Sequence, residues 1–164
     1  MDEVVLRVVG PGDRDGLARD WIDGARHYVE LDRDHFGLPS VEGLARWLEV
    51  AVHSPDSYEQ VAVVDGDIVD HVWAVVQRPS SDAPWEMLTD LGRIRLTVHW
   101  LGVLTEFRRR GIGRRLLHSA EDCGRRQGAE RAGFSTYLGS PLSVPFYEHR
   151  MGYQRHGVYL TKRL

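Results

Sequence analysis

The sequence has little cysteine, little lysine and no long apolar run. Its single cysteine, Cys123, excludes an intrachain disulfide and a cysteine-rich metal site, and it agrees with a reducing, cytoplasmic location. No stretch approaches the roughly 18 consecutive apolar residues of a membrane span. The acidic N-terminus MDEVV is unlike a signal peptide. We therefore expect no targeting segment and no membrane partner.

The chain also lacks an excess of positive charge. Its net charge is −3, and almost every cation is an arginine, because Lys162 is the only lysine. Proteins that bind nucleic acids non-specifically are usually basic, so this charge disfavours nucleic acid as a partner. The histidines show no spacing typical of metal ligands, and we expect no bound metal.

Length and composition indicate one globular domain. The 164 residues are enough for a single domain with a sizeable core, spanning residues 1–164. Hydrophobic content of 42% and charged content of 27% are ordinary for such a domain. The predicted elements follow the order β α α β β β α β α β, which is a mixed α/β order.

The first half of the chain predicts a strand, two helices and a hairpin. Residues 4–9 form a short apolar strand, and Asp13 begins a helix whose inner face includes Leu17 and Trp21. A second helix extends from Ser40 to near residue 55. Residues 60–77 are two apolar runs separated by an Asp-Gly pair, which suits the left-handed backbone angles of a tight hairpin turn.

The second half predicts a loop, a long strand and then alternating helices and strands. Residues 78–92 contain two prolines and are interpreted as a loop. Residues 93–104 alternate, with Val98 and Trp100 on one face and His99 on the other, until the pattern breaks at Leu101 and Gly102. Downstream we predict a helix from 111 to near 128, a strand over 130–138, a short helix from 140 through 147, and a final strand or hairpin over 153–164.

The segment EFRRRGIGRRLL, residues 106–117, joins the long strand to the next helix through a glycine turn. Free N–H groups at a helix start bind anions, and glycine lets a phosphate approach without a Cβ clash. The segment lacks the Lys-Ser/Thr pair of a Walker loop and the third glycine of the dinucleotide fingerprint. It predicts a pyrophosphate site, with an arginine-rich, solvated helix start as the alternative.

The same segment resembles motif A of the Gcn5-related N-acetyltransferase (GNAT) superfamily. That motif reads Arg/Gln-x-x-Gly-x-Gly/Ala, and Arg108, Gly111 and Gly113 match it. The family's preceding Leu-x-Val pattern is matched by Leu101 and Val103.

A second segment, SPLSVPFYEHRMGY at residues 140–153, is similar to the family's N-x-x-A-x-x-x-Y-E segment. Ser140 stands in the place of the common asparagine, Ser143 stands in the place of the common alanine, and Tyr147 matches the tyrosine. The spacing from Tyr147 to Gly152 is one residue longer than usual. The turn after this helix is therefore expected to differ.

The resemblance implies a single-domain α/β GNAT fold, with a mixed, mostly antiparallel sheet flanked by helices and splayed between its fourth and fifth strands. It implies acetyl-CoA as the cofactor and a primary amine that attacks the thioester directly. Main-chain groups would hold the cofactor, and Arg108 and Arg110 are the side chains that would also reach phosphate. The implied cofactor-binding residues are Leu101, Val103, Arg108, Arg109, Arg110, Gly111, Ile112, Gly113, Arg114 and Ser140.

Two proton-transfer residues are also implied by the resemblance. Tyr147 matches the residue that usually protonates the departing thiolate, with a packing role as the alternative. His99 lies four residues before Val103, which resembles the base-bearing position of the arylalkylamine N-acetyltransferases. An unperturbed histidine pKa suits proton transfer near neutral pH, although a strand histidine without a role is the alternative. Other candidate bases are Asp70, His71 and Glu86.

The acceptor site is expected near the connection of the first two helices and the loop before the fourth strand. Candidate substrate-binding residues are Tyr28, Asp32 and Trp85, because a carboxylate beside aromatic rings suits a cationic amine. A solvated acidic loop is the alternative. The expected partner is a small-molecule amine. A protein N-terminus or lysine as acceptor, and a non-catalytic acetyl-CoA-binding module, are the alternatives. Dimers are common in the family, so the resemblance implies a homodimer as one assembly.

Overall fold

The computed structural model describes residues 3–51, 55–157 and 160–162. Its strands are β1 (Val5–Val8), β2 (Ser57–Val64), β3 (Asp67–Gln77), β4 (Arg95–Val103) and β5 (Arg131–Gly133). Its helices are α1 (Arg14–Leu31), α2 (Val41–Ala51), α3 (Ile112–Arg126) and the single turn α4 (Ser143–Pro145), which continues as a π turn, Phe146–Arg150. Three 3-10 turns, Ala83–Trp85, Thr89–Gly92 and Thr105–Phe107, lie in the connections.

The five strands form one mixed sheet in the order β1-β2-β3-β4-β5. Neighbours are antiparallel from β1 to β4, and β4 and β5 are parallel. The predicted β2–β3 hairpin is confirmed, and its turn holds Asp65 at φ 51° and Gly66 at φ 92°. These are the left-handed angles for which an Asp-Gly pair is suited.

Helices cover both faces of the sheet because both faces are apolar. α3 packs on one face, and the shared core there includes Ala62, Val72, Ala74, Val98, Ile112, Leu116, Leu117 and Ala120. α1 and α2 cover the other face, with Leu17, Leu44, Leu48, Val61 and Ile68 in their core. The α/β class and the mixed sheet follow the sequence prediction.

Parallel pairing between β4 and β5 is short. Only Arg95, Leu96 and Thr97 of β4 pair with β5, opposite Arg131–Gly133. Beyond Thr97, β4 residues 98 to 103 have β3 on one side, and no strand among the described residues pairs with their other side. The sheet is thus splayed between its fourth and fifth strands, and a slot opens along this unpaired edge.

The irregularity in β4 lies at His99 rather than at Leu101 and Gly102, so this part of the prediction was wrong. Trp73 pairs with Trp100 and Ala74 pairs with Val98, which leaves His99 as the inserted residue of a bulge. The bulge changes the alternation that follows it. Trp100 therefore turns to the α1 face, away from Val98.

Four of the five tryptophans meet on the α1–α2 face. Trp21 stacks on Trp100 with ring centroids 4.1 Å apart, and Trp47 contacts both Trp21 and Trp73 at 4.6 Å. The ring of His99 stacks on Trp73 at 4.4 Å. The aromatic side chains thus link α1, α2, β3 and β4 into one packed layer.

The C-terminal region differs from the prediction. β5 is only three residues long, although we predicted a strand over 130–138. The predicted strand over 153–164 does not form in residues 153–157 or 160–162, and the rest of it lies outside the described residues. Tyr153 instead donates its hydroxyl to Glu121 Oε1 of α3 at 2.9 Å, and its ring packs against Phe134. These side-chain contacts fix the start of this segment without a strand.

Gly102 is predicted to be intolerant of any side chain, because α1 packs directly on it. A Cβ built there lies 2.7 Å from both Asp20 Oδ2 and Trp100 Nε1. Overpacking of this kind costs about 1–3 kcal/mol. We expect Gly102→Ala to lower the free energy of unfolding by that amount, measured by urea unfolding with circular dichroism.

Gly133→Ala is the matched control, because a Cβ on this strand glycine meets no atom within 4 Å. Equal losses in the two variants would show that the contact with Asp20 and Trp100 is not the cause.

Candidate active site

The unpaired edge of β4 presents free main-chain groups to the slot. Leu104 donates its N–H to Val69 O of β3 at 2.9 Å. Peptide groups alternate in direction along an antiparallel strand, so those of Leu101 and Val103 point away from β3 and into the slot. Arg108 Nε donates to Val103 O at 3.0 Å, which occupies one of these groups. The N–H groups of Leu101 and Val103 and the carbonyl of Leu101 face the slot.

The loop between β4 and α3 contains a run of main-chain donors. In the described part of the chain, the N–H groups of residues 109–114 donate to no acceptor. Two left-handed residues, Arg109 at φ 63° and Gly111 at φ 80°, shape the loop just before α3 begins at Ile112. Concentrated N–H groups at a helix start, together with the helix dipole, are a site for an anion. The loop therefore fits a diphosphate group.

The arginine side chains of this loop have separate roles. The Arg108 guanidinium pairs with Asp23 of α1 at 3.2 Å in addition to its bond with Val103 O, so it holds the loop against α1 and β4. Arg110 lies over the Phe107 ring, 4.9 Å from the centroid, and donates to Glu106 O. We expected both side chains to reach phosphate, but here both make contacts within the protein. In this loop the side chains of Arg109, Arg110 and Arg114 are exposed.

Gly113 sits where the loop meets the sheet. A Cβ at this position lies 3.2 Å from Val103 Cγ2 and 3.7 Å from Asp70 Oδ2. The missing side chain lets the first turn of α3 approach the end of β4. The two glycines of the motif are thus needed for different reasons. Gly111 adopts a left-handed backbone angle, whereas Gly113 allows α3 to pack closely against β4.

Tyr147 is 9% exposed and lies in an aromatic cluster. Its ring centroid is 3.6 Å from that of Phe134, 5.1 Å from that of Phe146 and 5.9 Å from that of Tyr153. Burial, and to a lesser extent the nearby Tyr28 and Asp70, raises the pKa of the Tyr147 hydroxyl above its usual value. The hydroxyl therefore holds its proton near neutral pH and can act only as a proton donor.

The extra residue between Tyr147 and Gly152 is accommodated by the π turn. Met151 donates its N–H to Phe146 O at 3.2 Å, a bond that spans five residues instead of four. Tyr153 then donates its N–H to Tyr147 O at 3.0 Å. The chain leaves the helix through Gly152 at φ 74°.

Hydroxyl groups connect α1 with α4. Tyr28 Oη lies 3.0 Å from Ser143 Oγ and 3.3 Å from Thr136 Oγ1. Ser140, which is 3% exposed, donates its hydroxyl to Ser143 Oγ and accepts the Ser143 N–H, both at 3.1 Å. The structure thus brings together Tyr28 and Ser140, which the sequence assigned to different subsites.

The other two predicted substrate-binding residues lie in different surroundings. Asp32 follows the end of α1, accepts the Tyr137 hydroxyl at 3.1 Å and caps the N–H groups of Asp34 and His35. Trp85 lies in the loop before β4, is 84% exposed, and makes no ring contact within the described ranges. Asp32 therefore lies in the same region as Tyr28, whereas no contact joins Trp85 to them.

His99 projects from the β4 bulge onto the α1–α2 face. Its ring is supported on one side by Trp73. Partial burial lowers the pKa of His99, so the ring is largely neutral near pH 7 and one nitrogen can accept a proton.

A buried polar group beneath β4 was missed by the sequence analysis. Asp20, on the inner face of α1, is 1% exposed and accepts the Trp100 indole N–H on Oδ2 at 2.7 Å. His71 Nδ1 of β3 lies 4.0 Å from the same oxygen and is equally buried. The available signal was an aspartate three residues after Leu17 and directly before Trp21, within an apolar stripe.

The described residues contain no group of three or more His, Cys, Asp or Glu side chains that could hold a metal ion. Among them there is also no helix with the length and apolar character needed to cross a bilayer.

Comparison with solved structures identifies similar folds along nearly the whole chain. The BH1408 protein from Bacillus halodurans, solved as a tetramutant, is 19% identical, with a TM-score of 0.83 over 98% of this chain and 99% of that one. A transcriptional regulator from Bacillus halodurans C-125 is 20% identical, with a TM-score of 0.75 over 99% and 100%. Aminoglycoside N-acetyltransferase AAC(6')-Iy in complex with CoA is 14% identical, with a TM-score of 0.71 over 100% and 96%.

Sequence comparisons give the family. Comparison with curated protein sequences gives no match. The sequence profile described as the acetyltransferase (GNAT) family matches residues 22–153, which include β4, the loop between β4 and α3, α3 itself and Tyr147. The chain therefore belongs to the acetyltransferase (GNAT) family.

Proposed function

We propose that the chain is an acetyl-CoA-dependent N-acetyltransferase that acts on a primary amine of a small molecule. The observation that carries the proposal is the junction between the unpaired edge of β4 and the loop of free N–H groups at residues 109–114. A ligand with a diphosphate at one end and amide groups along an extended arm suits both parts. Acetyl-CoA has this form, and when bound it supplies an acetyl group activated as a thioester.

The cofactor would be held mainly by main-chain groups. The loop from Arg109 to Arg114 would bind the diphosphate through its N–H groups, with the exposed Arg109 and Arg114 side chains adding positive charge. Leu101 and Val103 would bond to the pantetheine amides as one strand bonds to another. Ser140 would act indirectly, because its hydroxyl fixes the turn that precedes Tyr147.

Tyr147 would donate a proton to the leaving thiolate sulfur. Its hydroxyl is protonated near neutral pH and so has a proton to donate. Its ring is fixed by Phe134, so the hydroxyl keeps one orientation.

An amine is protonated near neutral pH and must lose a proton before it can attack a thioester. His99 is a candidate acceptor of that proton, because its ring is mostly neutral and lies on the α1–α2 face of β4. The side of the slot toward α1 would therefore be where the amine binds.

The amine-binding region would include the end of α1. Tyr28 and Phe36 have ring centroids 5.1 Å apart, and Asp32 lies four residues after Tyr28 with its carboxylate on the Tyr137 hydroxyl. A carboxylate among aromatic rings favours a cationic ligand. An aminoglycoside N-acetyltransferase is among the similar structures, which agrees with a small polyamine or amino sugar as acceptor.

A panel of amines tests the function directly. We would incubate the protein with acetyl-CoA and kanamycin, spermidine, tryptamine or a lysine-containing peptide, and measure the free thiol of CoA. Thiol release with one of the three small amines is expected. Release only with the peptide would favour a protein acceptor, and CoA binding without release from any amine would favour a non-catalytic module.

A substitution at Gly111 tests whether the loop from Arg109 to Arg114 binds an anion. A side chain there meets no atom within 4 Å, so it projects out of the loop, and aspartate and asparagine tolerate its φ of 80° equally. We expect Gly111→Asp to bind CoA at least about 10-fold more weakly than Gly111→Asn, because only the former adds a negative charge to the anion site. Isothermal titration calorimetry with CoA measures both.

Arg115→Ala is a second control. The Arg115 guanidinium donates to Val4 O, away from the loop at residues 109–114, so its loss is expected to leave CoA affinity unchanged. Equal affinity of the aspartate and asparagine variants would place the diphosphate elsewhere.

The role of Tyr147 is tested by removal of its hydroxyl. Tyr147→Phe keeps the ring packed on Phe134, and general-acid catalysis is worth about 100-fold or more, so we expect kcat to fall by that factor while CoA affinity stays within about twofold. Steady-state kinetics with the best panel amine and calorimetry with CoA give the two values. An unchanged kcat would leave Tyr147 with packing alone, and Phe134→Leu shows how much a packing defect by itself costs.

A further inference from the structure

Asp20 reaches from α1 to the underside of the unpaired part of β4. Its carboxyl contacts Gly102, where a Cβ would lie 2.7 Å from Oδ2 and 2.9 Å from Oδ1, and it accepts the Trp100 N–H. These β4 residues flank Leu101, whose peptide groups face the slot. The carboxyl thus lies directly behind the strand segment to which the cofactor arm would bind.

The carboxyl is buried but incompletely bonded. Asp20 Oδ1 has no hydrogen-bond partner among the described residues, and neither has either ring nitrogen of His71. Buried polar atoms are normally satisfied, so these atoms have the capacity to bond to a water molecule or a ligand. Both side chains are 1% exposed and occupy the α1 side of β3 and β4, where the amine would approach.

Burial leaves Asp20 able to gain and lose a proton near neutral pH. Burial raises the pKa of Asp20 to about 7, whereas burial lowers the pKa of His71 to about 3 and keeps that ring neutral. The titratable and charged groups close enough to interact with Asp20 are Arg19 and Asp23 of α1, His71 and, through the sheet, Asp70 of β3, and Arg108 of the loop.

We propose that Asp20, rather than His99, is the catalytic residue that takes the proton from the attacking amine. This rests on the proposed N-acetyltransferase function. One N–H bond of the ammonium breaks, directly or through a water in the slot, and its proton forms an O–H bond on the Asp20 carboxylate. The nitrogen keeps the electron pair and attacks the thioester carbonyl. The proton stays on the Asp20 carboxyl, because His71, whose pKa burial lowers to about 3, is the weaker base.

The two rival groups are less suited. Asp70 lies on the opposite face of the sheet, beside Gly113 and away from the α1 side, and burial followed by the charge of Asp20 raises its pKa well above the usual value. His99 has an exposed ring supported by Trp73, and it lies at the surface where solvent competes for the proton.

Asp20→Asn is the decisive variant, because the amide oxygen still accepts the Trp100 N–H and the shape is unchanged. With the panel amine that the wild type acetylates fastest, we expect kcat near neutral pH to fall by about 100-fold or more. With hydroxylamine, which is neutral near pH 7 and needs no base, we expect a loss of less than about fivefold. A structural role for Asp20 would give the same loss with both nucleophiles.

Arg115→Ala is the matched control, because Arg115 donates to Val4 O away from the site and is expected to keep kcat within about fivefold with both nucleophiles. His99→Gln is the rival variant. A 100-fold loss confined to His99→Gln with the basic amine would overturn the proposal and assign the proton to His99. No thiol release by the wild type with any panel amine would refute the proposed function itself, whereas an Asp20→Asn variant as fast as an active wild type would refute the role of Asp20 alone.

A second measurement is independent of catalysis. Because the folded pKa of Asp20 lies above the usual aspartate value, the wild type loses stability as pH rises from about 4 through about 7, when a buried charge must form. Asp20→Asn has no such charge. We expect its unfolding midpoint, relative to the wild type, to be higher at pH 8 than at pH 5. An equal difference at both values would mean that Asp20 does not titrate in this range, which would also overturn the proposal.

Discussion

The end of β4–β5 pairing is the constraint on which the rest of the site depends. Three residues of each strand pair, and then the two strands separate. A strand edge with unpaired peptide groups is usually a liability that must be covered. Here the edge lies beside a loop of unpaired N–H groups, and both can be satisfied together by one extended ligand that carries amides and a diphosphate. In the proposed complex the ligand would complete the sheet, so few side chains would be needed to hold it.

The α1 side of β4 supplies the chemistry that the main chain does not. The bulge at His99 turns two consecutive side chains, His99 and Trp100, toward α1 and α2. Trp100 donates its indole N–H to the Asp20 carboxyl, which lies against Gly102. Asp20 is buried, and a buried carboxyl loses the solvation that normally keeps it ionised, so its pKa rises.

Much of the fold and the loop could be predicted from the sequence, because their signals are local. The Asp-Gly turn, the strand alternation up to Val98 and the two glycines before α3 each depend on a few adjacent residues. The β4 bulge could not be placed, since one inserted residue is defined only by its pairing with Trp73 and Ala74 of another strand. Asp20 was missed for a related reason. An aspartate on a helix is ordinarily solvated, and only the tertiary contact with Trp100 and Gly102 shows that it is buried. The contacts of Arg108 and Arg110 within the protein could likewise not be predicted, because nothing in the sequence distinguishes these two arginines from their arginine neighbours.

The π turn after α4 lets the chain hold an additional residue between Tyr147 and Gly152. One additional residue inside a helix normally rotates everything that follows by about 100°. Because the wider turn at Phe146–Arg150 absorbs the additional residue locally, Tyr147 stays packed on Phe134 and Tyr153 still reaches Glu121. The π turn thus separates the length of this connection from the position of Tyr147, so a change in the number of residues here need not disturb the aromatic cluster.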